Sequence, residues 1–141
     1  MKQLFAVGFI CFSIMAANAQ KLNEADVPVI IKDAFAKMYP DIKKALWNME
    51  GTLYRARFAE SNYKGTVLFA NDGKWTERET AIPAKYLPVS IKTYMGTNYK
   101  NRKITEASKI TRASGEMLYK VAIGSKQMLF TKDGDFIKVG K

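Results

Sequence analysis

Residues able to carry out nucleophilic or metal-assisted chemistry are scarce in this chain of 141 residues. It contains no histidine, and its one cysteine, Cys11, lies in an apolar segment near the N-terminus. Catalysis by histidine or cysteine, and the zinc sites that those residues build, are therefore excluded for the rest of the chain. We expect no metal site and no cofactor.

Two glutamates, Glu77 and Glu79, are the best candidates for acid–base chemistry, because alternate residues of a strand share one face. A glycosidase needs two carboxyl groups held at a defined separation around a sugar. Neighbouring glutamates among Lys74 and Arg78 are more typical of a solvated strand surface. We therefore expect no catalytic residues and no enzyme activity; an enzyme that uses carboxylate, lysine or tyrosine side chains is the remaining alternative.

The first nineteen residues have the layout of a secretory signal peptide. Lys2 supplies the positive start, Leu4 to Ala16 is apolar, and Ala17-Asn18-Ala19 is a small-x-small site that places cleavage before Gln20. No later apolar run approaches the ~20 residues of a transmembrane helix. We expect a periplasmic or secreted mature chain, 20–141, with no transmembrane segment; a retained N-terminal anchor is the alternative.

The mature chain carries a strong positive charge. Removal of Lys2 leaves 22 basic and 13 acidic side chains. Outside the cytosol such an excess favours acidic proteins, anionic glycans or phospholipid headgroups as partners, and not nucleic acid. A surface that is merely kept soluble by its charge is the simpler interpretation.

A repeated phrase indicates how the chain is organised. "LFANDGKW" at 68–75 returns as "LFTKDGDF" at 129–136, and "VPVIIK" at 27–32 returns as "LPVSIK" at 87–92. Self-similarity at a fixed spacing is the mark of a repeated structural unit. We predict two units, about 26–83 and 84–141, within a single domain that covers residues 20–141.

Each predicted unit starts with a helix and continues with strands. Apolar residues from Val27 to Met38 follow the helical period, and Pro40 ends the pattern; a second helix follows Leu87-Pro88. The period then falls to two, with Asp-Gly turns that are typical of hairpins. The predicted fold class is α+β, a tandem repeat of one helix plus a four-stranded antiparallel sheet, with the helices packed on one sheet face.

Strand alternation also predicts a surface. If the apolar residues of each strand contact the helices, six side chains lie on the opposite sheet face: Arg55, Arg57, Leu68, Arg78, Lys120 and Leu129. Arginines beside exposed apolar residues are enriched at recognition surfaces. An antiparallel sheet commonly has one solvated face, however, so a simple polar surface is the alternative.

These features resemble a known family. The Val27-Pro28 and Leu87-Pro88 helix starts, Phe35, Tyr39-Pro40, "ALWNME" at 45–50 and the "DGKW" corner at 72–75 are similar to exported bacterial proteins described as beta-lactamase-inhibitor-like and PepSY-like. The resemblance implies the tandem helix-plus-four-strand fold, a place outside the inner membrane, and a binding or inhibitory role without enzyme activity. Lys100 stands at the counterpart of Pro40, and the chain is unusually basic.

Two functional hypotheses follow from these observations. The first is a non-enzymatic exported binding module, acting as a protein or peptide inhibitor through the open face of its sheet, with an unknown protein or peptide partner outside the inner membrane. The second is a basic envelope protein that binds an anionic lipid or glycan surface by net charge. Loss of binding at high salt separates the second from the first, because salt screens exposed charges.

Overall fold

A computed structural model describes residues 20–60 and 63–140. The predicted signal peptide, 1–19, lies outside the described residues. Within that part of the chain there are nine strands, two ten-residue α-helices and two short 3-10 helices, Glu24–Asp26 and Ala84–Tyr86. The strands and α-helices are β1 (Gln20–Leu22), α1 (Val29–Met38), β2 (Leu46–Glu50), β3 (Leu53–Glu60), β4 (Tyr63–Phe69), β5 (Trp75–Ala81), α2 (Val89–Asn98), β6 (Glu106–Arg112), β7 (Met117–Ile123), β8 (Lys126–Thr131) and β9 (Phe136–Gly140).

All nine strands form one antiparallel sheet, in which each strand pairs with its neighbour in the chain. The predicted fold, a tandem repeat of one helix plus a four-stranded antiparallel sheet, is therefore wrong. β5 pairs with β6 from Glu77↔Arg112 to Ala81↔Ser108, so the sheet runs through the middle of the chain without a break. This pairing satisfies the backbone groups that two separate sheets would each leave open along an edge. β1, which pairs with β2, was not predicted.

The helices cover one face of this sheet. Ile31 and Phe35 of α1 are buried, and so are Ile91 and Met95 of α2, because residues four apart lie on the same side of a helix. The helix ends differ in sequence. α1 ends just before Tyr39-Pro40, where proline disfavours helical backbone in the preceding residue, whereas α2 reaches Asn98 with no proline after it.

Two apolar clusters lie between the helices and the sheet. In the first, the Phe35 ring lies 5.5 Å from the Trp47 ring and 5.7 Å from the Phe58 ring, both in edge-on contact. The second contains Ile91, Met95, Val121 and Phe130, among others. No helix among the described residues is long and apolar enough to cross a membrane.

The repeated Asp-Gly phrase forms the corner of two hairpins, and each corner lies against the first turn of a helix. Gly73 has a φ of +82° and Gly134 a φ of +91°, backbone angles that favour glycine. A Cβ on Gly73 would lie 2.9 Å from Ile30 Cγ1, and a Cβ on Gly134 would lie 2.8 Å from Ser90 Cβ. Glycine is thus required at both corners by the turn and by the close helix.

Candidate functional site

The sheet face opposite the helices, called the open face below, has no described helix packed on it. Side chains directly opposite each other on antiparallel strands share a face, and the register pairs Arg55 with Leu68 and Lys120 with Leu129. These four residues and Arg57 lie on the open face. This agrees with the position that strand alternation predicts for them, whereas a binding role stays a prediction.

Arg78 lies on the helix-covered side, so its predicted position is wrong. It pairs with Val67, which belongs to the core, and its guanidinium carbon lies 5.4 Å from the centre of the Trp75 ring. The cause is a β-bulge: Phe69 pairs with Trp75 but Leu68 pairs with Glu77, which leaves one extra residue in β5. An extra residue reverses which face the following side chains occupy.

The same reversal places Glu77 and Glu79 on the open face, where they bind cations. The Arg112 guanidinium donates to Glu77 at 3.1 Å and to Glu116 at 2.6 Å. Lys120 pairs with Glu79, which also accepts a 2.6 Å hydrogen bond from the buried Ser108 hydroxyl. The two carboxylates are therefore neutralised structural partners, and this arrangement leaves no free acid–base pair.

The pKa of Arg112 reflects these contacts. Burial lowers the pKa of Arg112, but its hydrogen bonds to Glu77 and Glu116 outweigh that effect, so the pKa is raised. The charge on this guanidinium is thereby fixed at every physiological pH. Arg55 forms a comparable pair with Glu50, and both side chains are about one-third exposed.

Leu68 and Leu129, which the sequence places on a contact surface, are buried. Leu129 packs with Ile110 and Leu118 in a third apolar cluster, and its neighbours across the sheet are Lys120 and Lys138. Aliphatic stems of such long side chains cover apolar surface while their charged ends reach water. The two leucines therefore form the floor of the open face and are not available for direct contact.

An accessible apolar and cationic part of the open face lies at Arg57 and Leu46, which pair across β2 and β3. Leu46 is 61% exposed, and Arg57 is also exposed and forms no ion pair with any described residue. Leu46 was missed as a site residue. The sequence could have identified it, because Leu46 is an apolar residue at a position of its strand that alternation assigns to the polar face.

Comparison with known proteins identifies the family. The model of the family described as "Putative beta-lactamase-inhibitor-like, PepSY-like" matches residues 52–138. The chain belongs to this family. The resemblance seen in the sequence is thus confirmed for this PepSY-like protein, and the family's description is that of an inhibitor-like protein and not of an enzyme.

Solved structures share the fold of this PepSY-like chain. A protein from Bacteroides eggerthii, described as one of the "putative periplasmic proteins", has a TM-score of 0.74 at 18% identity over 81% of this chain and 88% of its own. A "BLIP-like protein" from Bacteroides fragilis has a TM-score of 0.59 at 23% identity over 79% of this chain and 83% of its own. Among curated protein sequences, none matches the chain.

Proposed function

We propose that this PepSY-like chain is a non-enzymatic protein, exported from the cytosol, that binds a protein or peptide through the accessible part of its open face. The observation that carries the proposal is the pair of exposed neighbours Arg57 and Leu46 on a sheet face that no described helix covers. Arginine is enriched among the residues that dominate binding energy, and the exposed leucine beside it adds apolar surface that a partner can remove from water.

The rest of the open face holds Arg57 and Leu46 in position and does not compete with them for the partner. Two other cations of this face are engaged by glutamates and are less exposed, since Arg55 pairs with Glu50 and Lys120 pairs with Glu79. Arg57 has no such partner among the described residues, so its charge is available to an acidic group. We therefore expect the partner to place a carboxylate opposite Arg57 and an apolar side chain opposite Leu46.

Two further observations support the proposal. The family is described as inhibitor-like, and the Bacteroides fragilis protein with this fold is described as BLIP-like, which makes inhibition of an enzyme the first activity to test. The signal-peptide layout of residues 1–19 and the description of the Bacteroides eggerthii protein both support a periplasmic address for this chain.

Affinity capture from an envelope extract at high salt tests the surface. The exported protein is compared with an Arg57→Glu, Leu46→Ser double variant and with a matched Lys109→Glu, Val139→Ser control, whose residues are exposed on the helix side of the sheet. We expect the first variant alone to lose a specific captured protein, while all three proteins unfold at about the same temperature because the changed residues are exposed.

Retention of the partner by the Arg57→Glu, Leu46→Ser variant, or its loss from both variants, would refute this surface. Inhibition is measured separately by adding the protein to a purified β-lactamase that hydrolyses a chromogenic substrate. Inhibition that disappears in the same variant would identify the enzyme as the partner. No inhibition at any concentration would remove this enzyme class from the proposal but leave the capture result intact.

A further inference from the structure

A second surface, remote in sequence from Arg57, lies at the C-terminal end of α2. A shallow groove there is lined in part by Met95, Gly96 and Ile104. Four cationic side chains also line it: Lys92, Lys100, Arg102 and Lys103. The lining of the groove therefore combines cationic and apolar residues.

The charge of this region is unbalanced. Residues 80–105 contain five lysines and arginines, the fifth being Lys85, and no aspartate or glutamate. Within residues 20–60 and 63–140, none of the five forms an ion pair with a carboxylate. A further cation, Lys126, lies with its Nζ 5.9 Å from the centre of the Tyr99 ring, which also lines the groove. More than half of the net positive charge of the mature chain lies here.

Stabilisation of the helix end does not explain so many cations. The C-terminus of a helix carries roughly half a negative charge, which one lysine or arginine more than compensates. At the corresponding end of α1, positive side chains are more nearly balanced by negative ones. There Lys37, Lys43 and Lys44 lie close in the sequence to two acidic residues, Asp33 and Asp41.

Exposed apolar side chains lie beside two of these cations, Lys85 and Lys92. Tyr86 is 66% exposed and Val89 is 73% exposed. Lys85 Nζ lies 5.1 Å from the centre of the Tyr86 ring, and Lys92 Nζ donates to the Lys85 carbonyl at 3.3 Å. Val89 and Lys92 are three residues apart on α2, so they are neighbours on the helix surface.

We propose that this groove binds the phosphate groups of anionic membrane lipids, while Tyr86 and Val89 enter the boundary between headgroups and acyl chains. Arg102 offers the planar pair of N–H donors that suits a phosphate, and the lysines add compact positive charges. Tyrosine is enriched at membrane interfaces because its ring is apolar and its hydroxyl is polar. Anionic glycans and free phosphate would attract the cations but would leave Tyr86 and Val89 in water.

Vesicle sedimentation tests the proposal with the full exported protein. Phosphatidylglycerol vesicles are compared with phosphatidylcholine vesicles, using the protein, a Lys100→Gln, Arg102→Gln, Lys103→Gln groove variant, and a Lys37→Gln, Lys43→Gln, Lys44→Gln control of equal net charge. Each cation next to an anionic membrane contributes about fivefold to the affinity, so the groove variant should lose about 100-fold. The control should lose only a few fold, because its charges are screened beyond ~10 Å.

Three further results decide the source of the phosphate and the role of the apolar residues. A Tyr86→Ser, Val89→Ser variant should lose affinity for vesicles but keep any binding of inorganic phosphate. The Arg57→Glu, Leu46→Ser variant should sediment like the unchanged protein, which separates this site from the proposed partner surface. Inorganic phosphate at millimolar concentration should compete only weakly, because it offers one charge group and no apolar layer.

Equal losses in the groove variant and the control would overturn the proposal, since net charge alone would then explain binding. Retention on a sulfated polysaccharide without sedimentation on anionic vesicles would indicate a glycan instead. Binding of inorganic phosphate without vesicle binding would exclude lipid as its source. Circular dichroism of each variant checks that α2 remains folded, which is expected because the three groove cations have no ion pair with a described residue.

Discussion

Gly134→Ala is expected to destabilise the protein more than an alanine at a glycine turn that faces open space. Gly134 is buried at the corner between β8 and β9, with a φ of +91°. A Cβ there would lie 2.8 Å from Ser90 Cβ and would overlap the Ser90 hydroxyl, which donates to the Asp133 carbonyl at 3.1 Å. The hydroxyl can rotate away, but the Cβ moves only if the helix moves.

The size of the effect follows from two separate costs. An alanine at positive φ costs about 1 kcal/mol relative to glycine. Forcing an extra methyl group into a packed contact adds about 1–3 kcal/mol. The expected loss in the free energy of unfolding is therefore about 2–4 kcal/mol. Gly115 provides the matched control, because its φ is +92° but a Cβ there meets nothing within 4 Å.

Urea unfolding measures both losses. Gly115→Ala should lower the free energy of unfolding by about 1 kcal/mol, and Gly134→Ala by two to four times that amount, with little change in the denaturant slope. In a Ser90→Gly background the Gly134→Ala change should cost less, because the opposing Cβ is gone. Equal losses for Gly115→Ala and Gly134→Ala would refute the role assigned to the helix contact.

Two further predictions concern the helix side of the sheet. Ile91→Ala should lower the free energy of unfolding by about 2–5 kcal/mol, because Ile91 is fully buried. Val89→Ala, at an exposed position, should change it by less than about 0.5 kcal/mol in the same urea assay. Similar losses in the two variants would contradict the packing described for α2. Burial raises the pKa of Tyr39, and Arg78 partly offsets this effect. The folded state therefore retains the phenolic proton at a pH where the unfolded chain has lost it. Stability should fall as the pH rises above about 10. Tyr39→Phe should flatten this alkaline loss, and an unchanged slope of stability against pH would refute it.

Local features of the chain were predictable because neighbouring residues determine them. The apolar stripe around Ile31 and Phe35 and the proline after Tyr39 indicated α1 and its end. The Asp-Gly turns followed from the freedom of glycine at positive φ. Of the six residues predicted on the open face, all except Arg78 lie there, and their position followed from the two-residue period of a strand. The resemblance carried by these local patterns also led to the correct family.

Tertiary structure decided what depends on contacts between distant residues. The pairing of β5 with β6 joins strands separated by α2, and the sequence pattern of either strand contains no information about that partner. The bulge opposite Leu68 moved Arg78 to the helix side and brought Glu77 and Glu79 to the open face. There Glu77 pairs with Arg112 and Glu79 pairs with Lys120. The sequence shows the excess of positive charge, but it does not show which cations are neutralised by a partner. A strand's period fixes which residues alternate, but only its pairing fixes which face each set occupies, since one extra residue reverses them all.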